Sequence, residues 1–326
     1  MANNKKNRVK VNAEGRVEEI KPSLIADAKR NKWLILLCLP VIVLLIIFAY
    51  IPMGGLYMAF VNYKSTTGIF GSEFVGFENF RAFFSTDAWI RITANTLYLN
   101  ALFILFTTFF SIVIAIMLSE VKNKMFKKIT QSVVILPHFM SWTIVALFSV
   151  AIIASDGAIN QIIRTVTGNP EAGIDFYNNP MAWPPLLVCL RIWQGAGYGS
   201  IVYLATITGI DQEIYEAARI DGANRWQQIF RITLPLLKNT IIMLTIMSVG
   251  KIFYGDFGMI YALVGNQSQL YSTTDVIDTY VYRLLMTADN LGTTAAIGLI
   301  QSCLGFLFVI GCNKLAKVFS PESALF

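Results

Sequence analysis

The sequence predicts an all-α polytopic membrane protein with six transmembrane helices, both termini in the cytoplasm and one structured cytoplasmic loop. Three observations carry this reading. Hydrophobic residues make up 55% of the 326 and charged residues only 14%, against about 25% charged in soluble domains. Six apolar runs are long enough for a hydrocarbon core about 30 Å thick, which takes roughly 20 residues per helix. The basic residues are distributed unevenly over the segments between those runs. Disordered chains are excluded because they are polar, and 22 Gly and 4 Cys exclude collagen-like and disulfide-rich frameworks.

Taken in order, the runs are about 33–60, 92–118, 129–154, 181–207, 234–263 and 293–318. Pro40 and Pro52 fall in the first and predict a kink or an early stop there. Residues 1–32 hold nine Lys and Arg, the loop after the second run holds four, the loop after the fourth holds four and the C-terminal tail holds two. The opposite loops hold five: Lys64, Arg81, Arg91, Arg164 and Arg283. Nineteen against five places both termini inside. The net charge of +6 therefore belongs to the cytoplasmic rim and implies no nucleic-acid partner. The basic segment before the first run is too long for a signal peptide, and no small-residue cleavage site follows the run, so it is expected to be retained as a span. Residues 1–29 are expected to form a polar cytoplasmic segment, 30–320 the membrane domain and 321–326 a cytoplasmic tail.

Cys38, Cys189, Cys303 and Cys312 sit in apolar runs at spacings that match no zinc motif, and are expected to be small core hydrophobes. His138 is the only histidine, which excludes a histidine-based metal cluster within the chain. It is expected to be a satisfied helix-packing residue and not a proton relay.

The cytoplasmic loop from Asp211 to Asn239 has two helical patterns around a glycine. Ile214, Ala217 and Ala218 recur at helical spacing before it, and Ala223, Trp226, Ile229 and Phe230 after it. Asp221 is expected to cap the second helix and Gly222 to make the turn. Ala217 and Ala218 would let another surface approach closely, and Glu216 offers a charge-assisted contact to a basic partner. The alternative is a helix lying at the lipid headgroups with Trp226 and Phe230 dipping inward.

Glu216-Ala217-Ala218, then Asp221-Gly222-Ala223, then Phe230, Ile232, Leu234 and Pro235 resemble the EAA loop of permease subunits in bacterial ABC importers. The outer segments Phe74–Phe84 and Tyr254–Leu285, with the tail Ser320–Phe326, resemble the branch that handles oligosaccharides and polysaccharide fragments. The resemblance runs from about residue 30 to the end. It implies that the 211–235 loop docks on a cytosolic ATPase through a coupling helix at Ile214–Arg231, and that Glu216, Ala217, Ala218, Asp221, Gly222 and Ala223 make that contact. It further implies a second, non-identical permease subunit, two ATPase subunits carrying ATP and Mg, an extracellular sugar-binding protein, and a place in the bacterial cytoplasmic membrane. The chain has no GxxxxGK[ST] phosphate loop, no GxSxG and no HExxH, so it is expected to be a transport subunit without catalytic residues, cofactor or metal.

Ionisable groups at membrane depth are costly and face a cavity or a partner. On a continuous fifth span, Lys251 would lie about 25 Å from the cytoplasmic entry and Asp256 just over about 30 Å. They could pair with each other, or bind a sugar hydroxyl or an acidic sugar; Tyr254 lies between them. In the fourth span Arg191, Trp193, Gln194 and Tyr198 are interleaved with Gly195, Gly197 and Gly199. Aromatic faces beside hydrogen-bonding groups suit carbohydrate, while the glycines equally suit close helix packing. Asn100 and Gln301 are weaker candidates. A permease for amino acids or peptides, or an ion-coupled secondary transporter, remains an alternative; the latter would carry internal repeats and midplane carboxylates, neither of which is evident.

Overall fold

The computed structural model describes residues 31–288 and 290–319, together with strands β1 (Val9–Val11) and β2 (Val17–Glu19). Apart from those strands, the expected segment 1–29 lies outside the described residues, as does the tail 321–326. The chain divides into two compact units, Met1–Tyr57 and Met58–Phe326.

In the first unit β1 and β2 pair antiparallel. Helix α1 (Lys32–Leu45) contains Pro40 and passes into a π-helical turn at Ile46–Tyr50. Pro52, just after this turn, lacks an N–H and its ring crowds the carbonyl of Phe48 inside it, which favours the wider π register there. No residue of α1 is buried, although its side chains are almost all apolar. Such a helix is satisfied by hydrocarbon and not by water.

The second unit is helical apart from the short pair β3 (Val61–Asn62) and β4 (Glu73–Phe74). Helix α2 (Glu78–Phe84) precedes α3 (Ala88–Glu120), whose 33 residues make it the longest element. There follow α4 (Lys124–Ile135), α5 (Trp142–Ile153), α6 (Ala158–Thr167) and α7 (Trp183–Thr208). The cytoplasmic loop forms α8 (Gln212–Ile220) and α9 (Arg225–Gln228), and α9 runs through a π turn into α10 (Leu234–Val249). The chain closes with α11 (Phe257–Val264), α12 (Ile277–Ala288) and α13 (Leu291–Phe319).

Among the described residues five helical stretches are long and apolar enough to cross a membrane: Lys32–Phe60, Ala88–Glu120, Trp142–Thr167, Arg225–Val249 and Leu291–Lys317. One of the six expected spans falls outside this set by composition alone. The fourth expected run does form α7, whose 26 residues suffice in length, but Arg191, Gln194 and three glycines dilute its apolar character.

Two expected spans are interrupted. The run 129–154 breaks at Leu136–Phe139, a 3₁₀ turn containing Pro137, and restarts where the Ser141 hydroxyl accepts from the Ile144 N–H. Proline removes a donor and the serine offers a new cap, so the helix cannot continue through. The run 234–263 breaks after Val249; residues 250–253 form turns and 254–256 are irregular before α11 begins.

Helices α3 and α7 form the centre of the unit. One cluster joins Leu99 and Phe103 of α3 with Trp183 and Leu187 of α7 and Met259 of α11. A second joins Ala115 and Leu118 with Tyr203, Leu204, Ile207 and Leu237. Gly197 lets α4 pack closely on α7: a Cβ there would collide with the Val134 carbonyl oxygen of α4. The cysteines are not core residues as expected. Cys38, Cys189 and Cys303 are exposed and Cys312 is half-buried, which places them on the apolar outer faces of their helices.

Candidate functional site

The break after α10 builds a polar site near one end of the bundle. Unwinding exposes backbone groups that a helix would have paired, and in hydrocarbon each must find a partner. The Asn100 amide on α3 donates to the carbonyls of Ile252 and Tyr254, both at 2.9 Å. Gln301 on α13 donates to the Phe253 carbonyl at 3.0 Å. The Asp278 carboxylate on α12 accepts from the Gly255 N–H at 2.5 Å and from Gln301 at 3.3 Å. Burial pushes the Asp278 pKa up; the bonds from Gly255 and Gln301 pull it down, and the Asp256 charge adds to the rise.

Asp256 has two partners. One carboxylate oxygen accepts from the Met259 N–H at 3.1 Å and caps α11. The other meets the Arg191 guanidinium of α7 at 2.7 Å. These residues border a cavity of about 430 Å³, whose other polar walls include Asn100, Thr107, Thr108, Ser248, Lys251 and Tyr254. The Tyr254 hydroxyl bonds that of Ser302 at 2.9 Å.

Four of the expected substrate-path residues therefore come together: Arg191, Lys251, Tyr254 and Asp256. The expected alternative pairing of Lys251 with Asp256 is corrected, because Arg191 takes that carboxylate. Trp193, Gln194 and Tyr198 face elsewhere on α7. Trp193 borders a separate apolar cavity with Met140, Phe148 and Ile152. Gln194 is buried and donates to the Met140 carbonyl at 3.4 Å. Tyr198 stacks on His138 at 4.1 Å with the rings 8° apart. These three support the broken third run, and His138 packs there, although its buried Nδ1 has no hydrogen-bond partner among the described residues and so is not satisfied as expected. Asn100 and Gln301, weaker candidates by sequence, hold the unwound segment. Asp278 was not foreseen; in sequence it is one acidic residue in an amphipathic helix, and nothing there reveals that Gly255 lies against it.

At the other end, α8 and α9 form an exposed helical hairpin. The Asp211 carboxylate caps α8 by accepting from the Glu213 N–H at 3.0 Å. Asp221 closes α8 and does not cap the second helix as expected. That cap is Asn224, whose side chain accepts from the Gln227 N–H at 2.9 Å while Gln227 accepts from the Asn224 N–H at 2.8 Å. The Asn-x-x-Gln spacing is the legible signal for this reciprocal pair. Gly222 turns the chain at φ +79° as expected, and the Ala223 N–H reaches back to the Ala218 carbonyl at 2.8 Å.

No residue of α8 is buried. Glu216, Ala217 and Asp221 are exposed, Ala218 and Ala223 are half-buried, and Ile220 is 87% exposed. A shallow cavity of about 320 Å³ runs between Ala218, Asp221, Gly222, Ala223, Gln227 and Arg231. Among the described residues, a hydrogen bond and an ion pair tie the hairpin to the bundle. The Tyr215 hydroxyl bonds that of Thr233 at 2.9 Å, and Arg225 pairs with Glu120 at the end of α3 at 3.1 Å. Trp226 and Phe230 stack with centroids 6.2 Å apart and are largely exposed.

Asn100 and Glu120 lie on the same helix, about 30 Å apart at 1.5 Å per residue. A long α3 that touches an unwound, cavity-lining segment near one end and an exposed hairpin at the other belongs to a polytopic membrane transport subunit. The chain is a member of the binding-protein-dependent transport system inner membrane component family, whose model matches residues 97–317. Protein LplB of Bacillus subtilis (strain 168) is 36% identical over 92% of this chain and 93% of its own length. The polygalacturonan/rhamnogalacturonan transport system permease protein YteP of the same organism is 35% identical over 94% of each. A solved bacterial ABC transporter involved in import of the acidic polysaccharide alginate has a chain that superposes with a TM-score of 0.82 at 35% identity, covering 92% of this chain and all of that one. A second structure of the alginate transporter, in complex with a periplasmic protein bound to an alginate pentasaccharide, gives 0.81 at 35% identity. The chain is an ABC importer permease: a multi-pass membrane component of a multi-subunit complex, and not an enzyme.

Proposed function

We propose that this chain forms half of the pore of an ATP-driven importer of oligosaccharides in the bacterial cytoplasmic membrane, with both termini inside. Its partners are a second, non-identical permease, two ATPase subunits that bind ATP and Mg, and an extracellular sugar-binding protein. The observation that carries this is the exposed α8–α9 hairpin, joined to the bundle by the Tyr215–Thr233 hydrogen bond and the Arg225–Glu120 ion pair, on a chain with no phosphate-binding loop of its own. Glu216, Ala217, Ala218, Asp221, Gly222 and Ala223 present small side chains and acidic charge to the ATPase. Closure of the ATPase pair pushes the hairpin. Motion passes through Arg225 and Glu120 into α3, and through Thr208 into α7, the two helices whose far halves border the cavity. Sugar oligomers as cargo are supported by the relatives' names and by a cavity that mixes hydroxyls, amides and apolar walls.

The test is uptake by cells carrying Glu216→Lys or Gly222→Val. Both variants should insert normally and lose ATP-dependent uptake, and the ATPase should no longer co-purify in mild detergent. Normal uptake by either variant rejects the coupling role.

A further inference from the structure

We propose that Lys251 selects carboxylated sugars, making acidic oligosaccharides the cargo of this pore; the inference deepens the transport reading above and rests on it. The cavity contains two cations and one carboxylate among its lining residues. Arg191 is neutralised by Asp256 at 2.7 Å. The Asn100 amide is occupied by two carbonyls. Lys251 is exposed to the cavity and makes no side-chain hydrogen bond or ion pair among the described residues. Its position is imposed by the break: the Lys251 N–H bonds the Ser248 carbonyl and the Tyr254 N–H bonds the Lys251 carbonyl, so the side chain leaves from a tight turn on the cavity wall.

An uncompensated ammonium at membrane depth is costly and calls for an anion. Thr107, Thr108, Ser248 and Tyr254 add hydroxyl-bearing side chains around it. A uronic acid unit matches that set, with one carboxylate for the ammonium and ring hydroxyls for the rest. Neutral sugars leave the charge unmet, so the site discriminates against them by the penalty of a charge without its partner.

The experiment uses the complete importer in cells, with trigalacturonate as the acidic probe and its carboxyl-reduced counterpart as the neutral one. Lys251→Cys should lower acidic uptake by about tenfold or more and raise neutral uptake, because the charge that neutral sugars leave unmet is gone. Treatment with 2-aminoethyl methanethiosulfonate, which restores a cation at the new thiol, should recover acidic uptake. Methyl methanethiosulfonate should not, and wild type treated in parallel controls for the four native cysteines. Equal loss of both probes, or rescue by the uncharged reagent, overturns the proposal. A fall in complex recovery and basal ATP hydrolysis with an unchanged acidic-to-neutral ratio assigns Lys251 to a contact with the second permease and also overturns it. Wild-type uptake of the neutral probe alone overturns the charge assignment and leaves the transport reading standing; wild-type uptake of neither probe also overturns the charge assignment, and the transport reading falls with it only if oligosaccharides of other composition are refused as well.

Discussion

The Arg191 guanidinium and the Asp256 carboxylate, 65 positions apart in sequence, meet at 2.7 Å and tie the middle of α7 to the first turn of α11. The same carboxylate caps α11 through the Met259 N–H. One side chain thus holds two jobs that mutation can separate. Asn at position 256 keeps an acceptor for the cap and removes the charge, whereas Ala removes both.

Asp256→Ala should therefore be less stable than Asp256→Asn by about 1 kcal/mol, the usual worth of a cap. In a double-mutant cycle Arg191→Ala with Asp256→Asn should show a coupling on the order of 1 kcal/mol, held down by the partial exposure of both groups. Thermal melting of the detergent-purified chain measures both quantities. A coupling of zero would mean that the pair does not join the two helices.

Gly197 and Gly298 give opposite expectations for one chemical change. A methyl at 197 would collide with the Val134 backbone, while one at 298 meets nothing within 4 Å. Gly197→Ala should cost about 1–3 kcal/mol through overpacking. Gly298→Ala, on helix α13, should be neutral or stabilising by up to about 1 kcal/mol. Equal melting temperatures for the two would refute the close approach of α7 to α4.

The hairpin should respond locally. Asn224→Ala removes the reciprocal cap with Gln227 and should destabilise α9 by about 1 kcal/mol, read as faster hydrogen exchange at the Gln227 amide. Glu120→Gln should change global stability by less than about 1 kcal/mol, since both members of its pair with Arg225 are well exposed, yet should reduce ATP-driven uptake if α3 transmits the motion. Unaltered uptake would exclude that route.

Asp278 sets a pH dependence. Its pKa in the folded chain is raised above the ordinary carboxylate value of 3.8, chiefly by burial. The folded state therefore binds its proton more tightly than the unfolded one. That contribution to stability is complete below pH 3.8 and is lost as pH rises through the raised value. Asp278→Asn should remove this slope while still accepting from the Gly255 N–H. Melting temperature followed from acid to neutral pH checks it, and an identical slope in both proteins would contradict the assignment.

The legible parts of the molecule were those governed by local pattern. Apolar runs of about 20 residues, the asymmetry of Lys and Arg, and the small-residue turn at Gly222 each follow from the chain alone, because hydrocarbon thickness and backbone sterics act on contiguous residues. The EAA-like spacing likewise located an exposed hairpin. The cavity was only half visible. Arg191, Lys251, Tyr254 and Asp256 stood out as ionisable or aromatic groups in apolar surroundings, but Trp193, Gln194 and Tyr198, equally conspicuous in sequence, support the broken helix at Pro137 instead.

What the sequence determined by itself was a multi-pass helical protein with an inward-facing hairpin and an excess of charge in two of its spans. What only the tertiary structure decided was where two of the spans break, which cation Asp256 neutralises and which is left over. Those outcomes depend on Asn100, Asp278 and Gln301, which arrive from three distant helices to satisfy the backbone of residues 252–255. Hydrogen bonds of that kind are set by three-dimensional proximity, and no periodicity along the chain encodes them.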